Sequence, residues 1–181
     1  MLEDKMLIWK FKLGEEAALA RIYEKYKNDL LRIAAGLLNR RSAAEDIVHD
    51  VFVTLAQSAD KLKLNGNLKG YLATCVVNRV RNSNRARNRR QDVSLDETEP
   101  VMSDSDKPER WIVRNEKLDM LNAAMAQLPY AQREVVILHV QGGMKFRAIA
   151  ESQNASINTV QSRYRYGIDK LRSLLNSEVE R

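Results

Sequence analysis

An all-α fold, arranged as two small helical domains joined by a flexible acidic linker, is predicted by three observations. The 181 residues include only 7 glycines and 3 prolines. No stretch alternates apolar and polar residues with period two over a useful length, and apolar residues return at spacings of three and four along most of the chain. From Glu15 to Leu38 that spacing runs through Leu19, Ile22, Tyr23, Tyr26, Leu30, Ile33, Ala34, Leu37 and Leu38, which predicts one amphipathic helix with a break near Asn28. Ser42 stands three residues before Glu45, a capping-box spacing that opens a helix through about Ser58 with Ile47, Val48, Val51, Phe52 and Leu55 inward. Asn65-Gly66-Asn67 marks a turn, and Leu68 to about Arg90 follows as a third helix with Leu72, Val76 and Val80 facing the core.

Between Asp92 and Glu109 the character changes. Asp92, Asp96, Glu97, Glu99, Asp104, Asp106 and Glu109 stand against Lys107 alone, and Pro100 and Pro108 fall in the same stretch. Residues 91–109 therefore read as the linker, separating a domain over 1–90 from one over 110–181. Periodicity resumes at Trp111 and continues through Leu118, Leu121, Met125 and Leu128 to end before Pro129. A helix over about Ala131–Val140 is stopped by Gly142-Gly143, and two more span about Phe146–Gln153 and Asn158–Leu174.

Composition narrows the function. Lys and Arg total 30 against 24 Asp and Glu, a net charge of +6 that favours a polyanionic partner. Cys75 is the only cysteine, so no internal disulfide forms, and neither His49 nor His139 has a local ligand set around it. No metal and no cofactor are expected. The charged N-terminus lacks the apolar core of a signal peptide, and no run approaches the ~20 apolar residues that span a bilayer. A cytoplasmic protein without membrane insertion is expected. There is no phosphate-cradling glycine loop after a strand, no nucleophile elbow and no Cys/His couple at usable spacing, so catalysis is not expected.

The segment from Phe146 to Val160 has the layout of a helix-turn-helix. Ala150 is small where two helices would cross, Asn154 can take the left-handed conformation of a tight turn, and Ile149, Ile157 and Val160 would form the shared core. Ser156 or Asn158 can cap the second helix. That helix displays Asn158, Thr159, Gln161, Ser162, Arg163 and Arg165, a mixture suited to base edges and phosphates in a major groove. A hairpin with a merely solvated polar face has the same pattern, but the basic continuation through Lys170 and Arg172 favours DNA.

Leu128-Pro129, Gln132-Arg133-Glu134-Val135, Ile149-Ala150-Glu151 and Thr159-Val160-Gln161-Ser162-Arg163, in that order and spacing, resemble region 4 of extracytoplasmic-function (ECF) sigma factors. The resemblance implies a domain that binds the polymerase beta flap and reads the minus-35 promoter element through the six residues above. Asn154 stands where that family usually has glycine, and Tyr166-Gly167 replaces a common Arg-Ala.

Ala44 through Phe52 resembles sigma region 2.2, which implies that Glu45, Asp46, His49, Asp50 and Phe52 meet the beta-prime clamp helices of the polymerase core. The residues themselves allow two readings: an acidic stripe awaiting a cationic partner, or a solvated face near a helix N-terminus. His49 occupies a position where glutamine is common in the family, and its role stays open. Asn67 through Asn82 resembles regions 2.3 and 2.4, implying that Asn67, Lys69, Tyr71, Asn78, Arg79, Arg81, Asn82 and Arg85 melt and read the minus-10 element. Melting needs polar and aromatic groups for unstacked bases and cations for the backbone. Tyr71 replaces a frequent tryptophan and fits a core aromatic as well.

The resemblance thus implies an alternative sigma factor that binds RNA polymerase core and promoter DNA, its linker threading toward the active-site cleft and RNA exit path. Whether an anti-sigma factor holds it stays open. The competing reading is a helix-turn-helix regulator that binds operators without being a polymerase subunit.

Overall fold

The computed structural model describes residues 2–38, 41–58, 67–93 and 116–179, which form eight α-helices and no strand. The first of them, α1 (Leu2–Lys12), lies where the sequence signals no helix. Its apolar residues do not gather on one face: Leu7 and Phe11 are buried, while Met6 and Trp9 stay exposed. Its ends explain it better. Glu3 and Asp4 in the first turn and Lys10 and Lys12 in the last complement the helix dipole. Gly14 follows at φ +83°, with its N–H donating to Phe11 O at 3.0 Å and that of Glu15 to Lys10 O at 3.1 Å, a Schellman closure. Asp4 anchors α1 to the next helix by accepting from Lys25 Nζ at 2.8 Å and Tyr26 Oη at 2.7 Å.

Helix α2 (Glu16–Leu38) is continuous, with no break at Asn28, because its buried residues Ile22, Tyr26, Leu30, Ile33 and Leu37 keep one face against the core throughout. Helix α3 (Arg41–Gln57) begins at Arg41, so Ser42 lies within its first turn rather than before it. Ile47, Val48, Val51, Phe52 and Leu55 are all buried, as the periodicity requires. Asn67 caps α4 (Leu68–Val93): its Oδ1 accepts from Gly70 N–H at 2.5 Å. Leu72, Val76, Val77 and Val80 bury the inner face of α4, which runs three residues past the expected domain end at 90. The rest of the predicted acidic linker, and the predicted helix start at Trp111, lie outside the described residues.

The second domain contains α5 (Glu116–Ala126), α6 (Tyr130–Val140), α7 (Phe146–Gln153) and α8 (Ile157–Val179). Pro129 precedes α6, and Gly142 and Gly143 close it; a Cβ on Gly142 would stand 2.6 Å from Leu138 O, and Gly143 takes φ +63°. Gly167 lets α8 approach α6, since a Cβ there would meet Val136 Cγ2 at 3.0 Å. The two domains touch. Helices α2 and α4 face α6, Ile137 packs against Gly36, and Met144 sits over Gly70 and Thr74.

Two outcomes follow from this packing. Gly167→Leu should overfill the α6–α8 crossing and lower stability by about 1–3 kcal/mol in denaturant unfolding, with Gly167→Ala closer to wild type. Burial pushes the Asp4 carboxyl up, but hydrogen bonds from Lys25 and Tyr26 outweigh it and hold the pKa below its ordinary value. Such a group stabilises above its unfolded pKa of about 4, and that stability is lost as pH falls through the folded value. Amide protection of α1 should therefore fall on acidification in the wild type and be insensitive to that step in Asp4→Asn.

Candidate nucleic-acid interface

The helix-turn-helix forms as the sequence requires. Asn154 takes φ 50° and ψ 47° after α7, and Ala155 N–H donates back to Ala150 O at 3.0 Å. Of the two candidate caps, Ser156 is used: its Oγ accepts from Thr159 N–H at 3.0 Å. Ile149 and Val160 are fully buried in the shared core, but Ile157 is not; it opens α8 at the surface, 43% exposed. An aromatic cluster fixes the three helices. His139 stacks on Phe146 with centroids 4.3 Å apart, and Tyr164 closes on both. His139 Nδ1 also lies 2.8 Å from Met144 O, so this histidine is structural.

Along α8, Asn158, Gln161, Ser162 and Arg165 share a face at helical spacing, and Asn158, Thr159, Gln161 and Arg165 are exposed. Thr159 also bonds Ser156 through its hydroxyl at 2.8 Å. Arg163 is turned toward α7, where its Nη1 donates to Gln153 Oε1 at 2.8 Å. Gly167 faces α6, so that departure from the common Arg-Ala belongs to packing. Tyr166 is exposed and lies under the Arg165 guanidinium at 5.4 Å. Two basic residues passed over in the sequence, Lys145 and Arg147, are exposed at the start of α7. Their position ahead of the first helix of the motif was the available signal.

In the first domain, a groove of about 210 Å³ runs between α3 and α4. Tyr71, Asn78, Arg79 and Asn82 line it from α4, Thr54 from α3 and Ser58 from just beyond its end, over an apolar floor that includes Leu55 and Leu72. Tyr71 is half-buried beside Cys75, and burial pushes both the phenol and the thiol up. The tyrosine thus combines the two alternatives, packing on the core with one edge and bordering the groove with another. Arg79 pairs with Asp50 at 3.4 Å. The other expected minus-10 residues are placed differently. Asn67 is the α4 cap, Lys69 pairs with Asp29 on α2 at 2.7 Å, Arg85 is exposed farther along, and Arg81 turns into the contact between domains.

Glu45, Asp46, His49 and Asp50 lie exposed on one face of α3. Phe52 is on the other: it is buried, packed edge-on against Tyr23 with centroids 4.8 Å apart, and so locks α3 onto α2. Among the described residues no group of His, Cys, Asp and Glu could hold a metal, and no helix is long and apolar enough to cross a membrane.

The second domain thus presents a helix-turn-helix, and the first a groove with a polar wall and an acidic helix face beside it. Residues 22–90 match Sigma-70 region 2, and residues 118–171 match Sigma-70 region 4. The ECF RNA polymerase sigma factor SigW of Bacillus subtilis is 25% identical, with 94% of this chain and 96% of that protein aligned. Two solved structures share the fold. CnrH in complex with the cytosolic domain of CnrY has a TM-score of 0.70 at 18% identity, covering 97% of this chain and 98% of that one. The sigma factor RpoE in complex with the anti-sigma factor NepR from Bartonella quintana has a TM-score of 0.66 at 23% identity, covering 86% and 97%. The chain belongs to the ECF type of sigma-70 factors.

Because Ser156 satisfies the otherwise unpaired amide of Thr159, Ser156→Ala should cost about 1 kcal/mol of domain stability. Thermal unfolding and amide exchange at the start of α8 would register it.

Proposed function

We propose that this protein is an alternative sigma factor that binds bacterial RNA polymerase core and directs promoter-specific transcription initiation. One observation carries the reading beyond DNA binding in general. The same chain presents an exposed recognition face on α8 and, on a separate domain, a groove with a polar wall, an aromatic border and an apolar floor. A duplex operator engages the first and has no use for the second, whereas a melted strand needs such a groove for unstacked bases.

In this reading Asn158, Thr159, Gln161, Ser162 and Arg165 face the minus-35 element, and Arg163 positions α7 against α8. Tyr71, Asn78, Arg79 and Asn82 receive the minus-10 strand in the groove. Asn67 shapes the start of α4, while Lys69, Arg81 and Arg85 supply charge along it. Glu45, Asp46, His49 and Asp50 meet the beta-prime clamp helices, with Phe52 holding their helix in place. The second domain takes the beta flap. It acts in the cytoplasm as a non-catalytic initiation factor. Control by a separate anti-sigma factor is supported by the partner named with RpoE.

Run-off transcription with core polymerase and a library of genomic fragments tests the function directly; no promoter-dependent transcript would overturn it. Arg165→Ala should lower initiation about tenfold or more at promoters with an intact minus-35 element, the size of one lost base or phosphate contact. Equal activity across minus-35 variants would remove its assignment. Glu45→Ala with Asp46→Ala should weaken the one-to-one complex with core on size exclusion while leaving the fold intact by circular dichroism.

A further inference from the structure

The arginines of α8 are held in different ways. Arg163 donates from Nη1 to Gln153 Oε1, and Arg172 faces Asp169 at 3.8 Å. Arg165 makes no ion pair or side-chain hydrogen bond among the described residues; its guanidinium lies over the ring of Tyr166, 5.4 Å from the centroid. Consecutive residues on a helix stand about 100° apart and do not face each other. The contact therefore requires Arg165 to lean across the surface of α8 instead of extending straight outward.

The two kinds of contact leave different things behind. A carboxylate or amide partner takes N–H donors from an arginine, whereas an aromatic ring takes the face of the guanidinium and leaves the five donors at its edge free. A single exposed aromatic is ordinary on a protein surface, so the 57% exposure of Tyr166 says little by itself. Its neighbours make it informative. Tyr164 is committed to the aromatic cluster with His139 and Phe146, and Gly167 is the residue that α8 gives to its packing on α6. Tyr166, between them along the chain, contributes to neither. Helical side chains lean toward the N-terminus of their helix, which places Tyr166 over the turn carrying Ser162 and Arg165 over the turn carrying Gln161.

We infer that Tyr166 is a positioning residue for Arg165: its ring confines the guanidinium to the part of α8 that carries Gln161 and Ser162, with every donor left for the minus-35 duplex. A long side chain loses rotamer freedom when it meets DNA, and one already confined loses less, so the ring contact is expressed as tighter promoter binding. The inference rests on the minus-35 reading of Arg165.

The test uses the full-length protein assembled with core polymerase, and a duplex promoter recovered by run-off transcription. Promoter affinity is measured for Tyr166→Phe, Tyr166→Ala, Arg165→Ala and the double variant Arg165→Ala with Tyr166→Ala, each checked for folding by circular dichroism. Tyr166→Phe keeps the ring and should bind as the wild type does. Tyr166→Ala should bind about two- to fivefold more weakly, the range of an exposed cation–π contact. In the Arg165→Ala background the same change should cost nothing more, because the ring has nothing left to position. An equal loss in both backgrounds overturns the inference, since the ring would then touch DNA or support the fold on its own account. A Tyr166→Phe loss as large as that of Tyr166→Ala overturns it too, as does no loss in Tyr166→Ala. The minus-35 reading fails on separate evidence, the lack of any promoter-dependent transcript or an Arg165→Ala variant that binds as wild type, and takes the inference with it. A loss in Arg165→Ala without one in Tyr166→Ala refutes the positioning role alone.

Discussion

A carboxylate that is only 2% exposed must be matched from every side, and Glu134 sets that requirement for the second domain and for its contact with the first. Leaving such a charge without its partner costs about 3–5 kcal/mol, far more than the intact pair contributes. The carboxylate is met by Arg81 from α4 and Gln153 from α7, and Gln153 is in turn held by Arg163 from α8. The orientation of α7 against α8, on which the recognition face depends, is thus tied to a charge buried on α6. Nearby, burial and the Glu134 carboxylate push the Tyr130 phenol up, and burial pushes the Arg133 guanidinium down.

Around that constraint the apolar faces perform the simpler task of aiming polar ones. Phe52 and its neighbours seat α3 on α2, which leaves Glu45, Asp46, His49 and Asp50 facing out together. Leu72, Val76 and Val80 seat α4, and the groove forms where its polar edge passes α3. The aromatic cluster of His139, Phe146 and Tyr164 does the same for the helix-turn-helix. Short-range devices finish each element: Gly14 and Asn154 in left-handed turns, Asn67 and Ser156 as caps. None of these touches a ligand in the proposed function, yet each decides where a reading residue points.

Much of this was legible in the residues. Asn154 could be assigned its backbone conformation because few side chains tolerate it, whereas Ser156 and Asn158 were both possible caps until the structure put the Ser156 hydroxyl on the Thr159 amide. The inner faces of α3 and α4 followed from period alone. Helix α1 was not legible, since its apolar residues are spread around it and its stability comes from Asp4 meeting Lys25 and Tyr26 across the chain. Ile157 was assigned to the core by its chemistry and lies at the surface, because the rotation of α8 about its axis is fixed by Val160 and Leu171.

The sequence by itself determined most of the helices, the left-handed turn and the set of polar residues available for nucleic acid, because each depends on neighbours within about one helical turn. It also carried the ECF resemblance in the order of its motifs. Only the tertiary structure decided which of those polar residues meet solvent, which line a shared groove, and which are spent on one another. Arg81 and Glu134 are separated by more than fifty positions, with the linker between them. No local pattern distinguishes an arginine free for phosphate from one committed to a buried carboxylate, because that choice is made by whatever packs against it.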